Sequence, residues 1–264
     1  TWEDFCTHYC DMRPDVYVGV KPVGIRNAAE LADGLRPYVL RRTIASLRIP
    51  MPGLETGRTV LDMDPGDVAR IMAGLDNWSR DRLVAALAEQ DELRDAALSR
   101  VRKALGLAKA VAAAAHVARI VQSGDGPVVA FFQHTAVRQA MHTALAQAGL
   151  TASWIDGTVS SGQLRAAVAW FQAGRLDALL VQTQAGGMGL TLTRSRRVVV
   201  VEPPWTATAL FQAVKRVHRI GQTRSCLADI LVCPNSWLED AMAAVVGIKR
   251  RASDDLLDRL TTDV

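Results

Sequence analysis

Paired cysteines, lysine and long apolar runs are what this chain has least of. Its four cysteines, Cys6, Cys10, Cys226 and Cys233, form no Cys-x-x-Cys pair. Cys6-x-His8-x-Cys10 has ligand-type side chains at short spacing but no evident fourth partner, so buried, reduced cysteines are a better reading than zinc, and no metal-ligating residues are assigned. No Gly-Lys-Ser/Thr sequence occurs, which excludes a Walker A phosphate loop. No apolar run approaches the ~20 residues of a membrane-spanning helix, so a membrane is not expected among its partners. The opening TWEDFCTHYC is acidic and aromatic, unlike a signal peptide. The chain does not start with Met, as expected of a fragment or a processed product. Only five of the 31 basic residues are lysine, a bias that genomic base composition explains as readily as function. The net charge of +4 permits nucleic-acid binding without demonstrating it.

Apolar residues make up 49% of the 264, enough for a globular core in one large domain or two small ones. Glycine and proline punctuate the first ~60 residues. Within them NAAELADGLRPYVLRR reads as a helix over Asn27–Arg42, with Asn27 as N-cap, Glu30 at the capping-box position and Pro37 as a stop or kink. A short strand fits Thr59–Met63. From Gly66 to Gln122 the pattern is helical, with interruptions expected near Trp78 and Gly106. After Gly124-Asp125-Gly126-Pro127 the rhythm changes. Apolar runs at Val128–Phe132, Ala152–Ile155, Asp177–Gln182, Arg197–Val201 and Cys226–Cys233 alternate with helical stretches at Thr135–Ala148, Ser161–Gln172, Thr206–Ile220 and Ser236–Lys249. That alternation predicts right-handed crossovers and a parallel α/β sheet with helices on both faces. Ligands of such sheets sit beyond the carboxyl ends of the strands, which singles out the loops after Phe132, Ile155, Gln182 and Val201.

Each of those loops carries polar or glycine chemistry. Gln133-His134-Thr135 opens a helix with a histidine that either caps it or meets a ligand. Asp156-Gly157-Thr158-Val159-Ser160 puts a glycine and hydroxyls at a helix N-terminus, either a plain cap or a phosphate site. Thr183-Gln184-Ala185-Gly186-Gly187-Met188-Gly189 is rich in glycine, which lets backbone approach a ligand closely. Glu202-Pro203-Pro204-Trp205 leads into a helix ending in QAVKRVHRIGQTR, Gln212–Arg224. Arginine has a fixed charge and a planar fork of donors. Arg216 and Arg219, three apart and expected on one helix face, suit a phosphoryl group developing charge in a transition state. The plainer alternative is a solvated basic helix end.

Taken in order, these segments resemble the second RecA-like lobe of the SNF2 group of superfamily 2 helicase-like ATPases. RVHRIGQT, Arg216–Thr223, is the most specific of them. AGGMGLTLT resembles motif V, VVVVEPPW the strand and turn beyond it, WIDGTVSSGQLRAAVAWFQ the Asp-Gly-Ser block and VVAFFQH motif IV. The likeness is firm over about residues 125–235 and looser elsewhere. LRPYVLRRT is similar to the segment closing the first lobe, while WEDFCTHYC, GLAKA and Met-Gly-Leu-Thr lean towards the fork-remodelling, annealing-helicase branch. Lys215 stands where an acid is common, Thr206-Ala207 where Asn-Pro is, and Glu202 where an aspartate is.

The resemblance implies residues 1–65 as the incomplete tail of a first lobe, 66–124 as a helical brace and 125–264 as the RecA-like lobe. It implies ATP with Mg2+ as cofactor. The metal would be held mainly by a first lobe, on the same or a separate chain, whose Walker A and Walker B boxes this chain lacks and needs for hydrolysis. Arg216 and Arg219 would be arginine fingers. Gly187, Gly189 and Gln212 would bind nucleotide. His134, Gly157, Thr158 and Thr183 would contact phosphates of double-stranded or branched DNA. The protein would sit with DNA, in a eukaryotic nucleus or on a prokaryotic nucleoid. A non-catalytic DNA-binding or regulatory module is the competing reading, and the intact arginine pair counts against it.

Overall fold

The computed structural model describes residues 1–15, 19–40, 42, 44, 46–89, 95–184 and 189–244. A small N-terminal unit comes first: α1 (Trp2–Tyr9), the antiparallel hairpin β1 (Cys10–Asp15) and β2 (Gly19–Ile25), then α2 (Ala28–Leu35). Asn27 does not cap α2 as expected. It sits at φ 47°, and its side-chain amide donates to the His8 carbonyl at 3.0 Å. Glu30 likewise accepts from His8 Nε2 at 3.0 Å and from the Tyr9 hydroxyl at 3.2 Å. The local capping box is thus replaced by ties from α2 to α1. α2 ends at Leu35, two residues before Pro37, which has no N–H to extend the helical ladder; Arg36 between them keeps helical dihedrals. All four cysteines are free, and Cys6, Cys226 and Cys233 are buried.

The main body follows as β3 (Leu54–Val60), α3 (Pro65–Met72) running into a 3-10 turn (Ala73–Leu75), α4 (Arg80–Glu89) and α5 (Ala96–Gln122). Then come β4 (Val128–Phe132), α6 (Thr135–Gln147), β5 (Ala152–Ile155), α7 (Ser161–Gln172), β6 (Ala178–Gln182), β7 (Arg197–Val200), α8 (Ala207–Val214) and β8 (Cys226–Val232). Residues 237–244 are helical again, and the remainder of the helix expected to Lys249 lies outside the described residues. Six strands form one parallel sheet in the order β3-β8-β7-β4-β6-β5. β4 is buried along its whole length, which is why it reads as the unbroken apolar run VVAFF. On one face, Ala113, Val117, Met141 and Leu145 of α5 and α6 pack against Val128, Ala130 and Phe132. On the other, Phe171, Ala213 and Val214 of α7 and α8 pack against Val129, Phe131 and Val181. This is the RecA-like architecture expected.

Four differences from the sequence reading have physical causes. β3 comes from the segment read as first-lobe tail, yet it is the edge strand of the sheet, paired with β8 from Leu54↔Cys226 to Val60↔Val232. α5 comes from the segment read as a brace, yet its alanine-rich half is part of the lobe's own core. Gly106 does not interrupt α5. A Cβ there would lie 2.5 Å from Glu202 Oε1, so the glycine makes room for a neighbour. Finally, α5 is, among the described residues, one helix long and apolar enough to cross a bilayer by length and composition, contrary to the reading that no such run exists; half of that stretch is buried inside the protein.

Candidate functional site

β4 and β7 are neighbours, but the helices that follow them, α6 and α8, pack on opposite faces. Such a switch opens a crevice beyond the strand ends. Glu202, just past β7, organises it. Its carboxylate accepts from the backbone N–H of Gln133 at 2.9 Å, from that of His134 at 3.0 Å and from His134 Nδ1 at 2.6 Å. A carboxylate facing these donors fixes the proton on Nδ1 and leaves Nε2 for another partner. Gln182, ending β6, ties two loops together: it donates to the Gln133 carbonyl at 2.9 Å and accepts from Gly157 N–H at 3.2 Å. Buried Asp156 accepts from the backbone N–H of Thr158 at 2.9 Å and from its hydroxyl at 2.5 Å, and pairs with Arg138 at 3.1 Å. Thr183 donates to the Phe132 carbonyl from its N–H at 2.9 Å and its hydroxyl at 3.2 Å. The loops after β4, β5, β6 and β7 therefore form one hydrogen-bonded rim.

The arginine segment is built differently from the expectation. α8 begins at its cap Thr206 and ends at Val214, not at Ile220. Beyond it the Arg216 carbonyl accepts from Leu192 N–H at 2.9 Å. The Gln222 amide donates to the carbonyls of Thr193 at 3.1 Å and Ser195 at 2.7 Å. Gly221 turns the chain at φ 100°, a region open to glycine. Local bonds from Arg216 N–H to Ala213 and from Val217 and His218 N–H to Val214 continue beyond α8 as turns, joined by bonds to the stretch before β7, and Arg216 and Arg219 sit on a turn rather than on one helix face. They still converge. With Gln212, Lys215, His218, Ile220 and Ile44 they line a pocket of about 330 Å³, and none of these described residues is a carboxylate. Burial, and then the charge of Arg219, lowers the Arg216 pKa below the ordinary guanidinium value. Arg219 Nη1 donates to the carbonyls of Gly189 at 2.9 Å and Leu190 at 3.2 Å.

Residues 112–221 match the helicase conserved C-terminal domain. Over 263 residues the chain is 26% identical to the mouse DNA annealing helicase and endonuclease ZRANB3, covering 98% of this chain and 24% of that protein. The C-terminal part of the Fun30 ATPase domain aligns with a TM-score of 0.56 at 14% identity, covering 80% of this chain and 99% of that one. The Sulfolobus solfataricus SWI2/SNF2 ATPase core in complex with double-stranded DNA aligns at 0.57 and 18% identity, covering 87% and 53%. Residues 112–221 are thus a helicase conserved C-terminal domain, and the chain as a whole is similar to proteins of the SNF2 group. It spans about a quarter of the length of the curated relatives it matches along its whole extent.

In the structure the residues singled out from sequence fall into two places. Gln212, Arg216 and Arg219 share the pocket, and Gly189 joins them through its carbonyl. His134, Gly157, Thr158 and Thr183 stand on the rim, with the backbone N–H of each of the last three directed inward to Gln182, Asp156 and Phe132. Gly187 lies outside the described residues. Sequence reasoning missed the organisers, Glu202, Gln182, Asp156 and His218. Their available signal was a polar side chain at or just past the end of an otherwise apolar strand, or, for His218, a histidine among four cationic residues.

Proposed function

We propose that this helicase-like motor lobe is the second half of an ATP-driven translocase on double-stranded DNA. One observation carries the reading: half-buried Arg216 and exposed Arg219 meet in a pocket where none of the described lining residues is a carboxylate. Converging like charges is unfavourable until an anion joins them, and arginine forks match phosphate oxygens. ATP held between this lobe and a first lobe would supply the phosphoryl transfer that drives motion. Arg216 and Arg219 would balance its phosphate charge, a role worth roughly 10³–10⁵ in rate. Gln212 would orient the ligand from the pocket wall, and Gly187 and Gly189 would bring backbone beside it. The described lining residues offer Mg2+ no carboxylate, and its ligands would come from a first lobe bearing the Walker A and B motifs. Arg219 would exchange the Gly189 and Leu190 carbonyls for phosphate as the lobes close.

The rim is the proposed DNA face. His134 would offer Nε2 to a backbone phosphate, while Gly157, Thr158 and Thr183 shape the loops that lie along the strand. Contacts of this kind hold the duplex without reading its sequence. The Sulfolobus core in its complex with double-stranded DNA supports this ligand, and the relatives described as DNA annealing helicase and endonuclease support DNA as the partner. The lobe is taken to begin at β3, with the N-terminal unit lying towards the first lobe. The test is DNA-stimulated ATP hydrolysis by this chain with its first lobe, unaltered or Arg219→Ala. We expect kcat to fall by roughly 10³ or more. Undiminished hydrolysis in the variant would sink the arginine role. DNA binding without hydrolysis in any mixture would leave a regulatory DNA-binding module.

A further inference from the structure

His218 is buried in the middle of the arginine turn. Its two ring nitrogens have partners of opposite kind: Lys215 Nζ lies 2.8 Å from Nδ1, and the Pro52 carbonyl lies 2.7 Å from Nε2. An ammonium only donates and a carbonyl only accepts. Nδ1 therefore accepts, Nε2–H donates, and the ring is the neutral Nε2–H tautomer. Pro52 belongs to the segment that enters β3. The next residue, Gly53, accepts from Cys226 N–H at 2.8 Å, and the same stretch of chain supplies Ile44 to the arginine pocket. Among the described residues, the other long-range hydrogen bonds of the turn run to the stretch before β7, from Arg219 to Gly189 and Leu190, from Leu192 to the Arg216 carbonyl, from Gln222 to Thr193 and Ser195 and from Arg224 to Arg194. The His218 ring hydrogen-bonds the turn to the segment before β3.

We propose that His218 is a positioning residue: through Pro52 it locks the Arg216–Arg219 turn to the chain segment entering the lobe, so that a shift of that segment carries the arginines with it. This rests on the reading of Arg216 and Arg219 as phosphate-binding groups. A bond of this kind sets position rather than chemistry, and a displacement of about 1 Å at a reacting centre lowers rate roughly 100-fold.

The test uses the chain with its first lobe and two substitutions of opposite geometry. His218→Gln can place an amide nitrogen near the site of Nε2 and keep the Pro52 bond. His218→Asn matches Nδ1 and falls short of Pro52. The Asn variant is expected to lower kcat for DNA-stimulated ATP hydrolysis roughly 10- to 100-fold, with KM for ATP within about threefold. Its thermal midpoint should stay close to that of the unaltered chain, while amide hydrogen exchange at residues 216–219 quickens. The Gln variant should keep more of both kcat and exchange protection. Equal behaviour of Asn and Gln overturns the proposal, as does an Asn defect that tracks lost thermal stability. The imidazole nitrogen NMR shifts of the unaltered chain test the tautomer without any substitution, and an Nδ1–H or doubly protonated ring overturns it. Arg219→Ala separates the two ideas. If it leaves kcat intact, the arginine reading fails, and exchange at 216–219, where Asn and Gln must still differ, decides the pin by itself.

Discussion

At Gly106 local and tertiary preferences oppose each other. Inside a helix, alanine is favoured over glycine by about 1 kcal/mol. Here a Cβ would meet Glu202 Oε1 at 2.5 Å and Val137 Cγ2 at 2.9 Å. Glu202 is held in place by Gln133 and His134, so it does not swing aside. Gly106→Ala should therefore lower stability by about 1–3 kcal/mol in urea unfolding; a gain would mean that Glu202 moves freely. Burial by itself would raise the Glu202 pKa, but hydrogen bonds from the His134 ring and from backbone N–H groups outweigh it and hold the carboxyl below its ordinary value. At Asp229 burial is likewise outweighed, by His116 and Arg197. A carboxyl with a depressed folded pKa binds fewer protons folded than unfolded. Its contribution is complete above the unfolded value, near pH ~4, and is lost as pH falls through the folded value. The thermal midpoint should drop on acidification below about pH 4.5, and Glu202→Gln should lose about 2–4 kcal/mol near neutrality while weakening that drop. None of these contacts was legible in the sequence, where Gly106 reads as a helix break and Glu202 as a plain departure from aspartate.

Between elements, α5 is joined to the helical residues 237–244 by a buried ion pair. Lys109 is 1% exposed; its Nζ lies 2.5 Å from Glu239 Oε1 and donates to the Leu231 carbonyl at 3.1 Å. Glu239 also accepts from Cys233 N–H at 2.6 Å. Removing one partner strands a buried charge, so Lys109→Met should cost about 3–5 kcal/mol. Lys109→Met with Glu239→Leu should cost less than Lys109→Met alone, although it orphans Cys233 N–H; strict additivity in denaturant unfolding would deny the coupling. Burial, then the charge of Glu239, pushes the Cys233 thiol up to about 12. Cys233 should accordingly resist alkylation in the folded protein and react on unfolding, as mass spectrometry can follow. Element positions in the sheet were the most readable part of the chain, because buried parallel strands are short unbroken apolar runs. The β1–β2 hairpin was not readable: CDMRPD and GVKPVGI each contain a proline and neither alternates cleanly. α8 was overextended because the turn beyond Val214 is held by bonds to Leu192, Thr193 and Ser195, which no local pattern announces.

For the whole molecule, a net charge of only +4 means that the proposed DNA affinity would come from how the rim is arranged rather than from bulk charge. Duplex binding should weaken with salt at a logarithmic slope of about −0.9 per phosphate neutralised. His134→Ala should reduce that slope by about one unit and lower affinity alike for unrelated sequences. An unchanged slope and affinity would remove His134 from the interface.

The sequence by itself determined the alternation of strands and helices, the loops that carry the site and, through RVHRIGQT and its companions, the family. These are local properties, written in apolar periodicity and in contiguous motifs. The tertiary structure alone decided that Asn27 bonds to His8, that Gly106 stays helical beside Glu202, that β3 pairs with β8, that the arginines ride a turn, and which tautomer His218 adopts. Each of those outcomes depends on a partner remote in the chain, and a hydrogen bond or close contact with a remote group outweighs the small preferences that neighbouring residues express.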